Sequence, residues 1–579
     1  MKRFVLTTWI LAIAIFSFAQ NTQIDRANEL LGYRGEIFFS FEMPPGANPL
    51  HIVKNLSVEK IAGNTVFAFA NQKDFEEFLK NGIDFKLVDE YYESKNITMA
   101  TTVAAMSNWD RYPTYGVYVE MMNKFAADYP NLCKIFNVGA TASGNRHLYF
   151  AKITSNVNSH KKKPQVMYTS TMHGDETTGF VLLLRLIDYL LSNYGTNSQV
   201  THLLDNLEIW ICPNENPDGT YRTNNSTIQS PTRFNSNNID LNRNYPCPRP
   251  GVTIQTPIQP ETQAMMNFTD TMSFVLSANI HGGIELVNYP WDAWKSSENR
   301  HADHDWFYLV SREYADTARF YSPTTYMNPS SWQCASCING VTHGADWYYV
   351  YGSRQDFMNY FRRVREVTLE LSNTKLLPSA HLPAHWNYNF RSLLNYLYQA
   401  TFGIHGTVRD INTLQPINAK IEILGYDKDN TQVYSYLPMG LFHRPILAGT
   451  YSLRVTAKGY PEKIIHGVTV QNRQTLNLDI RLGSPTSIAE LNSGVSLNVH
   501  PNPVNHFSVA NVYLQQAGEV RLQIINLNGK VVSMVFSGFL NQGNNQINLG
   551  AHTGSLQKGL YLLRAVYPGG SKTSRLVVL

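Results

Sequence analysis

The stretch QVMYTSTMHGDETTGFVLLLRLIDYLLSN, residues 165–193, indicates the class of fold. Residues 165–170 are typical of a buried strand, and residues 177–193 form a long apolar pattern that favours a buried helix. A strand that leads directly into a helix is the repeating unit of α/β domains. We therefore expect this part of the chain to form a sheet that is covered by helices.

Residues 109–402 continue this alternation of strand and helix patterns on both sides of the stretch. A helical pattern spans 117–129, and apolar strand patterns span 207–212, 274–280 and 366–371. The alternation predicts one α/β domain over residues 109–402, with its sheet lying between helices.

The region before this domain has a different organisation. Strand patterns at 36–41 and 85–88 and an amphipathic helical pattern at 72–81 predict a small α+β domain over residues 21–90. Residues 91–108 lack a clear period and are predicted to be a linker.

After Tyr398 the sequence changes to short strand patterns separated by turns. Residues 403–482 predict a β-sandwich, 483–494 a polar linker, and 495–579 a second all-β domain with Gly, Asn and Pro turns. We therefore expect two C-terminal β-sandwich domains. A length of 579 residues agrees with several domains, since a prior of roughly three to five applies to such a chain.

Composition and charge exclude some classes of function. Hydrophobic residues make up 43% and charged residues 16% of the chain, which is typical of globular domains. The formal net charge is only +4, and no run of Lys and Arg is long enough for a nucleic-acid surface. The basic patch at 161–163 is predicted to be a solvated loop.

The first residues have the pattern of a signal peptide. Lys2 and Arg3 precede a mostly apolar segment at 4–18, so we predict a signal peptide at residues 1–20. The apolar segment is shorter than the roughly 20 residues that a membrane-spanning helix needs. No other stretch is long and apolar enough, so we expect an exported protein without a transmembrane helix.

The five cysteines are too few, for so long a chain, to form a disulfide framework. Cys334 and Cys337 have the CxxC spacing of redox and metal sites, but no second CxxC or nearby His pair completes such a site. We expect them to form a disulfide, either with each other or over a longer range.

Two short motifs follow predicted strands and contain ligands for a metal. His173-Gly-Asp-Glu176 lies between a predicted strand and a predicted helix, and His281 directly follows the strand pattern at 274–280. Each motif alone is ordinary, since a His–Glu pair is usually a surface pair and a strand-end His is often a core residue. Together at the strand ends of one α/β sheet, where ligands bind, they form a His₂Glu set that suits catalytic zinc.

Two further features point to a site at the same edge of the sheet. Glu370 interrupts an apolar strand, so it is either an outward-facing edge residue or a carboxylate that faces a cleft, where it could act as a general base. Arg243 lies within the segment 237–246, and Arg233 precedes this segment. Each is either a surface charge or a guanidinium that binds a carboxylate or an oxyanion.

These residues match a known family. Residues 109–402 resemble the zinc metallocarboxypeptidases (funnelins), and among them the carboxypeptidase N/E/D subfamily. The resemblance implies a mixed, twisted eight-stranded sheet flanked by helices. The matching motifs, in the order of the family, are His173-Gly-Asp-Glu176, Asn216-Pro-Asp-Gly219, Ile239-Asp-Leu-Asn-Arg-Asn-Tyr-Pro246, His281-Gly-Gly283 with Asn288-Tyr-Pro-Trp-Asp292, Gly344-Ala-Asp-Trp-Tyr348, Gln355-Asp356 and Thr368-Leu-Glu-Leu-Ser372.

The resemblance implies a role for each residue of the predicted metal site. His173, Glu176 and His281 match the three protein ligands of one catalytic Zn²⁺. Glu370 matches the general base and acid of the family. Asp240 matches the carboxylate that orients the first zinc histidine, which is a common way to fix a histidine tautomer.

The resemblance also implies how a peptide is held. Asn242 and Arg243 match the pair that binds the terminal carboxylate of the substrate, and Tyr348 matches the mobile Tyr that closes on it. Arg233 lies seven residues before Asp240, as the Arg that stabilises the oxyanion does in the subfamily. The implied substrates are therefore the C-termini of peptides and proteins.

The substrate's terminal side chain is predicted from two positions. Gln355 falls at the pocket position that separates members with an acidic floor from apolar ones. Asp292 follows His281 by eleven residues, where the subfamily has its acidic pocket residue. A buried carboxylate there would pair with Lys or Arg, so we expect release of C-terminal Lys or Arg. The alternative is that Asp292 only caps a loop.

The flanking domains resemble known ones as well. Residues 403–482 resemble the transthyretin-like domain that follows the catalytic domain in the subfamily, and residues 21–90 have the position of a propeptide. Residues 495–579 resemble a type IX secretion C-terminal sorting domain. Its motifs are His500-Pro-Asn-Pro503, Asn528-Gly-Lys530, Gly559-Leu-Tyr561 and Arg575-Leu-Val-Val-Leu579. The resemblance implies contact with the type IX secretion machinery, and a protein that is secreted or attached to the outer cell surface.

Two other functions remain open. A zinc amidase or deacylase, or a cell-wall endopeptidase of the same superfamily, would use the same metal site, but such relatives often lack the terminal-carboxylate clamp of Asn242, Arg243 and Tyr348. A catalytically inactive surface binding protein would have lost metal ligands or Glu370, and none of them is missing here.

Overall fold

The computed structural model describes residues 22–46, 52–53, 56–159, 163–254, 256–483, 494–568 and 570–579. The predicted signal peptide at 1–20 lies outside the described residues, as does nearly all of the predicted linker at 483–494. The chain divides into two compact units, residues 1–483 and residues 484–579. Within the described ranges, no helix has both the length and the apolar character that crossing a bilayer demands.

The N-terminal part of the first unit is a four-stranded antiparallel sheet with helices, in the strand order β2-β3-β1-β4. A cluster of phenylalanines packs between the sheet and the helices and forms its core. The element bounds are a helix at 22–34, β1 Ile37–Glu42, β2 Ser57–Ala62, β3 Thr65–Ala70, a helix Gln72–Leu79, β4 Phe85–Leu87 and a short helix Asp89–Tyr92.

Residues 91–108, predicted as a linker, are packed against the next part of the chain. The short strand β5 (Met99–Ala100) pairs in parallel with β6 (Tyr112–Pro113), and the 3₁₀-helix Val103–Met106 lies between them. Met106 is buried in the main hydrophobic core.

The central part contains an eight-stranded mixed sheet in the order β13-β12-β14-β11-β9-β10-β8-β7. This confirms the predicted fold class. Its strands are β7 Cys133–Ala140, β8 His147–Ile153, β9 Gln165–Ser170, β10 Glu208–Cys212, β11 Phe274–His281, β12 Glu285–Tyr289, β13 Val341–His343 and β14 Arg365–Leu371. The main helices are Tyr115–Asp128, Thr178–Ser192, Ser198–Asn206, Pro260–Asp270, His304–Phe320 and Leu382–Tyr398.

Parallel pairing in the middle of this sheet brings the functional ends of the strands together. β9, β10, β11 and β14 run in one direction, while β7–β8, β8–β10 and β12–β14 pair antiparallel. The helix Thr178–Ser192 is apolar nearly all round, and most of its side chains are therefore buried against the sheet. The carboxyl ends of β9, β11 and β14 therefore lie side by side.

The last part of the first unit is a β-sandwich of a three-stranded and a four-stranded sheet, in the orders β18-β15-β21 and β17-β16-β19-β20. A buried ion pair connects it to the central part: Arg444 of the sandwich donates to Asp303 of the central part at 2.8 Å. Arg365, also of the central part, donates to the same carboxylate at 2.8 Å. The strands are β15 Gly403–Asp410, β16 Lys420–Ile423, β17 Val433–Tyr434, β18 Leu441–Arg444, β19 Gly449–Thr456, β20 Lys463–Val470 and β21 Thr475–Leu482.

The second unit is also all-β in its described residues, apart from the short helix Gly550–Thr553. It has a three-stranded sheet, β22-β23-β26, and a four-stranded sheet, β25-β24-β27-β28. The strands are β22 Val495–His500, β23 Val509–Leu514, β24 Gly518–Ile525, β25 Val531–Leu540, β26 Gly543–Asn548, β27 Gly559–Tyr567 and β28 Gly570–Val578.

Two local predictions can be compared with the structure. Cys334 and Cys337 form a disulfide with each other, which is the local one of the two pairings considered. The prediction of a solvated loop at 161–163 is wrong for Lys163, because its Nζ is buried and donates to Thr154 Oγ1 at 2.7 Å and to the Leu204 carbonyl oxygen at 2.6 Å. Residues 161 and 162 lie outside the described residues.

Candidate active site

The three predicted metal ligands meet at one point. His173 and Glu176 lie in the turn between β9 and the helix Thr178–Ser192, and His281 is the last residue of β11, which pairs in parallel with β9. His173 Nδ1 is 2.9 Å from Glu176 Oε1, and His281 Nδ1 is 2.8 Å from Glu176 Oε2. The two Nδ1 atoms are 3.1 Å apart, and all three side chains are buried.

This arrangement fits a zinc ion. Two imidazole nitrogens and one carboxylate converge, and within the described residues this is the group of three or more His, Cys, Asp or Glu that could hold a metal. The other ring nitrogen of each histidine has its own partner: His173 Nε2 contacts Asp240 Oδ1 at 3.1 Å, and His281 Nε2 contacts Asn279 Nδ2 at 2.9 Å. A His₂Glu set with such supporting contacts is typical of a catalytic zinc site with an open coordination position.

Asp240 is held as an anion beside His173. Burial would raise the pKa of the Asp240 carboxyl, but the charges of Arg233 and His173 outweigh it and hold that pKa well below its usual range. Arg233 Nε donates to Asp240 Oδ2 at 3.2 Å, and Ser57 Oγ donates to the same oxygen. The anion can thus orient the imidazole of His173 over a wide range of pH.

Glu370 faces this cluster from the neighbouring strand. It lies on β14 in register with His281 on β11, so the two side chains are adjacent across the sheet. Burial, and then the negative charges of Glu176 and Glu59, raise the pKa of Glu370 well above its usual range. Its Oε2 is buried and has no hydrogen-bond partner among the described residues. A carboxyl with a raised pKa next to metal ligands is suited to take up and release a proton.

The residues predicted to bind a terminal carboxylate lie on one side of the pocket. Asn242 and Arg243 are in the 3₁₀-helix Leu241–Arg243, whose first turn is capped by Asp240. Asn242 Oδ1 accepts from the backbone N–H of Arg354 at 2.9 Å, which fixes the amide. Tyr348 follows the short helix Gly344–Trp347 and lines the pocket.

Asp292 and Gln355 are in contact at the bottom of the pocket. Gln355 Nε2 donates to Asp292 Oδ1 at 2.9 Å, and burial raises the pKa of Asp292 to about 6. A Cβ at position 344 would come within 2.1 Å of Asp292 Oδ1, so Gly344 provides the room for this carboxylate. The loop backbone is held instead by Asp356, which accepts from the N–H groups of residues 292 and 293 at 2.8 and 2.9 Å. Asn288 of β12, just before this loop, also donates to Asp292 Oδ1, at 3.3 Å.

Most of the predicted site residues line one pocket. Asp240 and Gln355 lie just behind its wall and contact residues that line it. The predicted residues on the wall itself are His173, Glu176, Arg233, Asn242, Arg243, His281, Asp292, Tyr348 and Glu370.

Two charged residues were missed by the sequence analysis: Glu59, which lines the pocket, and Lys375, which contacts Glu59 and Glu176. Lys375 Nζ is 2.6 Å from Glu176 Oε1 and 2.7 Å from Glu59 Oε1. Glu59 also accepts from Arg233 Nη1 at 2.9 Å. Glu59 belongs to β2 of the N-terminal part, and no local pattern in the sequence indicates that it reaches a site more than a hundred residues away.

We call residues 57–59 the cover segment, since all three contact the pocket. Ser57 donates to Asp240, the Val58 carbonyl oxygen accepts from Arg243 Nη2 at 2.9 Å, and Glu59 bridges Arg233 and Lys375. The N-terminal part of the chain therefore occupies the groups that were predicted to receive a substrate.

Further contacts hold the N-terminal part in place around the cover segment. The Glu36 carboxylate accepts from the backbone N–H groups of Arg233 and Phe234, each at 2.9 Å. Tyr91 Oη is 3.0 Å from Asp175 Oδ2, and Phe38, Phe69 and Phe234 form a small apolar cluster. The interface combines apolar packing with buried charge.

Comparison with family models gives two matches. Residues 118–392 match the model described as zinc carboxypeptidase, and residues 498–579 match the secretion system C-terminal sorting domain. The second match confirms the predicted sorting domain and indicates a protein that is secreted or attached to the outer surface.

Similar proteins are carboxypeptidases. Carboxypeptidase D of Homo sapiens is 34% identical over 370 residues, which are 62% of this chain and 26% of that protein. Carboxypeptidase M of Mus musculus is 32% identical and carboxypeptidase N catalytic chain of Homo sapiens 30% identical, over 58% and 65% of this chain. These alignments span 76% and 87% of the two relatives, whereas the chain spans about a quarter of the length of the carboxypeptidase D relatives.

Proposed function

The chain belongs to the zinc carboxypeptidase family, and on this premise we propose that it hydrolyses the C-terminal peptide bond of peptides and proteins. The observation that carries the proposal is that one pocket contains both a His₂Glu cluster and the side chains of Asn242, Arg243 and Tyr348. The first group supports hydrolysis, and the second supports selection of a chain end.

We propose that His173, Glu176 and His281 hold one zinc ion per chain. Zinc in such a site acts as a Lewis acid, which polarises a carbonyl oxygen and lowers the pKa of water. The contact of His173 Nε2 with Asp240 keeps the Nδ1 atom of His173 directed at the site.

The terminal carboxylate of the substrate is proposed to dock on Arg243. Its guanidinium can donate two parallel hydrogen bonds to a carboxylate, and Asn242 adds an amide donor beside it. Tyr348 lines the same pocket, where its hydroxyl can close over the bound chain end.

Proton transfer is assigned to Glu370 and charge stabilisation to Arg233. Glu370 takes a proton from the attacking water while the oxygen of that water bonds to the scissile carbonyl carbon. As the carbon–nitrogen bond breaks, Glu370 gives this proton to the leaving amine nitrogen, so protons balance within one turnover. Arg233 is proposed to donate to the oxyanion that forms in between.

Asp292 is proposed to select Lys or Arg as the terminal residue. It is a buried carboxylate on the pocket wall, supported by Gln355 and with the Asp356 carboxyl behind it. A cationic side chain would supply the charge partner that the buried Asp292 lacks.

We also propose that residues 21–90 act as a propeptide and that residues 495–579 address the protein to the type IX secretion machinery. The first proposal rests on the cover segment, which engages Asp240, Arg243 and Arg233 in the pocket. The second rests on the match to a sorting domain at 498–579. The assignment of residues 403–482 as a transthyretin-like domain is likewise proposed, on the seven-stranded sandwich formed there.

The two other functions are less well supported. An amidase or endopeptidase does not need a clamp for a free terminal carboxylate, yet Asn242, Arg243 and Tyr348 all line this pocket. A binding protein without activity does not need Glu370, whose raised pKa suits proton transfer.

Two peptides that end in Lys test the proposed function, one with a free C-terminus and one amidated. We expect the zinc-loaded protein, after removal of the cover by limited proteolysis, to release Lys from the free peptide alone. Comparable cleavage of both peptides would contradict the exopeptidase assignment. Glu77→Gln, an exposed charge removed from the same N-terminal part, serves as the control for preparation and folding.

A further inference from the structure

Glu59 shows that the pocket can hold a carboxylate at a place other than Arg243, the proposed site of the substrate's terminal carboxylate. Its carboxylate lies between Arg233 Nη1 at 2.9 Å and Lys375 Nζ at 2.7 Å. The three side chains are only 11%, 3% and 10% exposed, in the order Glu59, Arg233 and Lys375. Removal of one partner from so buried an ion pair is costly, because the other charge is left buried and unpaired.

The space for this carboxylate is provided by Gly283. At φ +124° this residue has a backbone conformation that side chains rarely adopt, and a Cβ there would lie 2.3 Å from Glu59 Oε1. The same Cβ would lie 3.5 Å from Lys375 Nζ. A side chain at position 283 would therefore collide with the carboxylate that lies between the two cations.

The two cations lie beside the proposed metal site. Arg233 Nη1 is 3.1 Å and Lys375 Nζ 2.6 Å from Glu176 Oε1, which belongs to the metal cluster. In a substrate that replaces the cover segment, the scissile carbonyl belongs to the residue before the terminal one, so the backbone of that residue lies at the metal site. Its side chain starts beside the two cations and can then reach them.

We propose that Arg233 and Lys375 form an acid-binding subsite, which takes the carboxylate of Asp or Glu immediately before the terminal residue of the substrate. This inference rests on the proposed carboxypeptidase activity and names its preferred substrates: acidic-basic chain ends such as Glu-Lys. Glu59 is the occupant from the protein's own chain that such a substrate displaces.

The test uses the full chain with Glu59→Gln, loaded with zinc, so that the subsite is no longer filled by a carboxylate. Two acylated peptides, ending in Glu-Lys and Gln-Lys, differ by one charge at nearly constant shape. We expect kcat/KM to favour Glu-Lys by about tenfold, as a hydrogen-bonded charge pair of limited exposure allows. The ratio should fall towards one in the double variant Glu59→Gln/Lys375→Gln.

Equal kcat/KM for the two peptides in Glu59→Gln would overturn the inference, while the release of Lys from both would leave the proposed function intact. If the double variant does not fold, the Glu59→Gln protein is assayed with rising salt instead. Screening must then reduce the preference for Glu-Lys, and a preference that is independent of salt would contradict a charge-based subsite. Cleavage of neither peptide would count against the proposed function itself.

Discussion

The walls of the pocket and the cover segment differ in how they are built. The reactive wall, His173, Glu176, His281 and Glu370, comes from the adjacent ends of β9, β11 and β14. The cover segment, residues 57–59, comes from β2 in a separate sheet and contacts Asp240, Arg243 and Arg233 beside this wall. The central part therefore carries the chemistry, whereas the N-terminal part opposes it by occupying contacts that a substrate would need.

The largest effect on activity is expected from a change in the reactive wall. Glu370→Gln removes the group that transfers protons while it keeps the shape of the side chain. We expect kcat to fall by about 10²- to 10⁴-fold, the usual contribution of general acid–base catalysis. Zinc content should remain that of the unaltered protein, since Glu370 is not one of the converging ligands. Normal turnover in this variant would refute the role of Glu370.

A change in the cover segment should have the opposite sign. Glu59→Gln removes the charge that bridges Arg233 and Lys375, so the N-terminal part should bind the pocket more weakly. We expect the activity of the full chain on Lys-terminated peptides to rise about tenfold, as the loss of a charge-assisted contact implies. Glu77→Gln, which removes an exposed charge of the same part, should leave activity unaltered. An unchanged or lower rate in Glu59→Gln would contradict inhibition by the cover.

The smallest effect is expected at the bottom of the pocket, in selectivity. Burial raises the pKa of Asp292 to about 6, although hydrogen bonds from Ser353 and Asn288 and the charge of Arg243 favour its ionised form. The charge of Asp292 in turn raises the pKa of the neighbouring Asp356 carboxyl. Above pH 6 the carboxylate is ionised and can pair with Lys, whereas below pH 6 it is protonated. The kcat/KM ratio of Lys over Leu termini should therefore fall severalfold as the pH drops through 6.

Asp292→Asn serves as the matched variant for this pH profile. It keeps the shape of the side chain but cannot ionise, so the ratio should be low and should not change around pH 6. A ratio in the unaltered protein that is flat from pH 5 to pH 8 would contradict the assignment of Asp292.

The same contrast explains what could be predicted from the sequence. The reactive wall was predicted because parallel strands place their carboxyl ends at one edge of a sheet, so that His173 and His281, 108 residues apart, are expected at one site. Glu370 could be predicted because a charge within an apolar strand requires a reason. The mixed eight-stranded sheet and the roles of Asn242 and Tyr348 came from family resemblance, not from periodicity.

Contacts between separate sheets could not be predicted in this way. Glu59 lies 174 residues from Arg233, and Lys375 lies 199 residues from Glu176. Neither has a local pattern that differs from a solvated surface charge. Lys163 shows the same limit, since a basic run predicts a solvated loop, yet its Nζ is buried against carbonyl and hydroxyl oxygens.

The central claim is that His173, Glu176 and His281 hold one catalytic zinc ion, and metal content tests it most directly. Zinc per chain should be measured by elemental analysis after dialysis of the unaltered protein and of the His281→Ala variant, with folding checked by circular dichroism. We expect one zinc ion per chain in the unaltered protein and close to none in the folded His281→Ala variant. Equal zinc content in both would contradict the site, and with it the assignment of the pocket as a zinc peptidase centre.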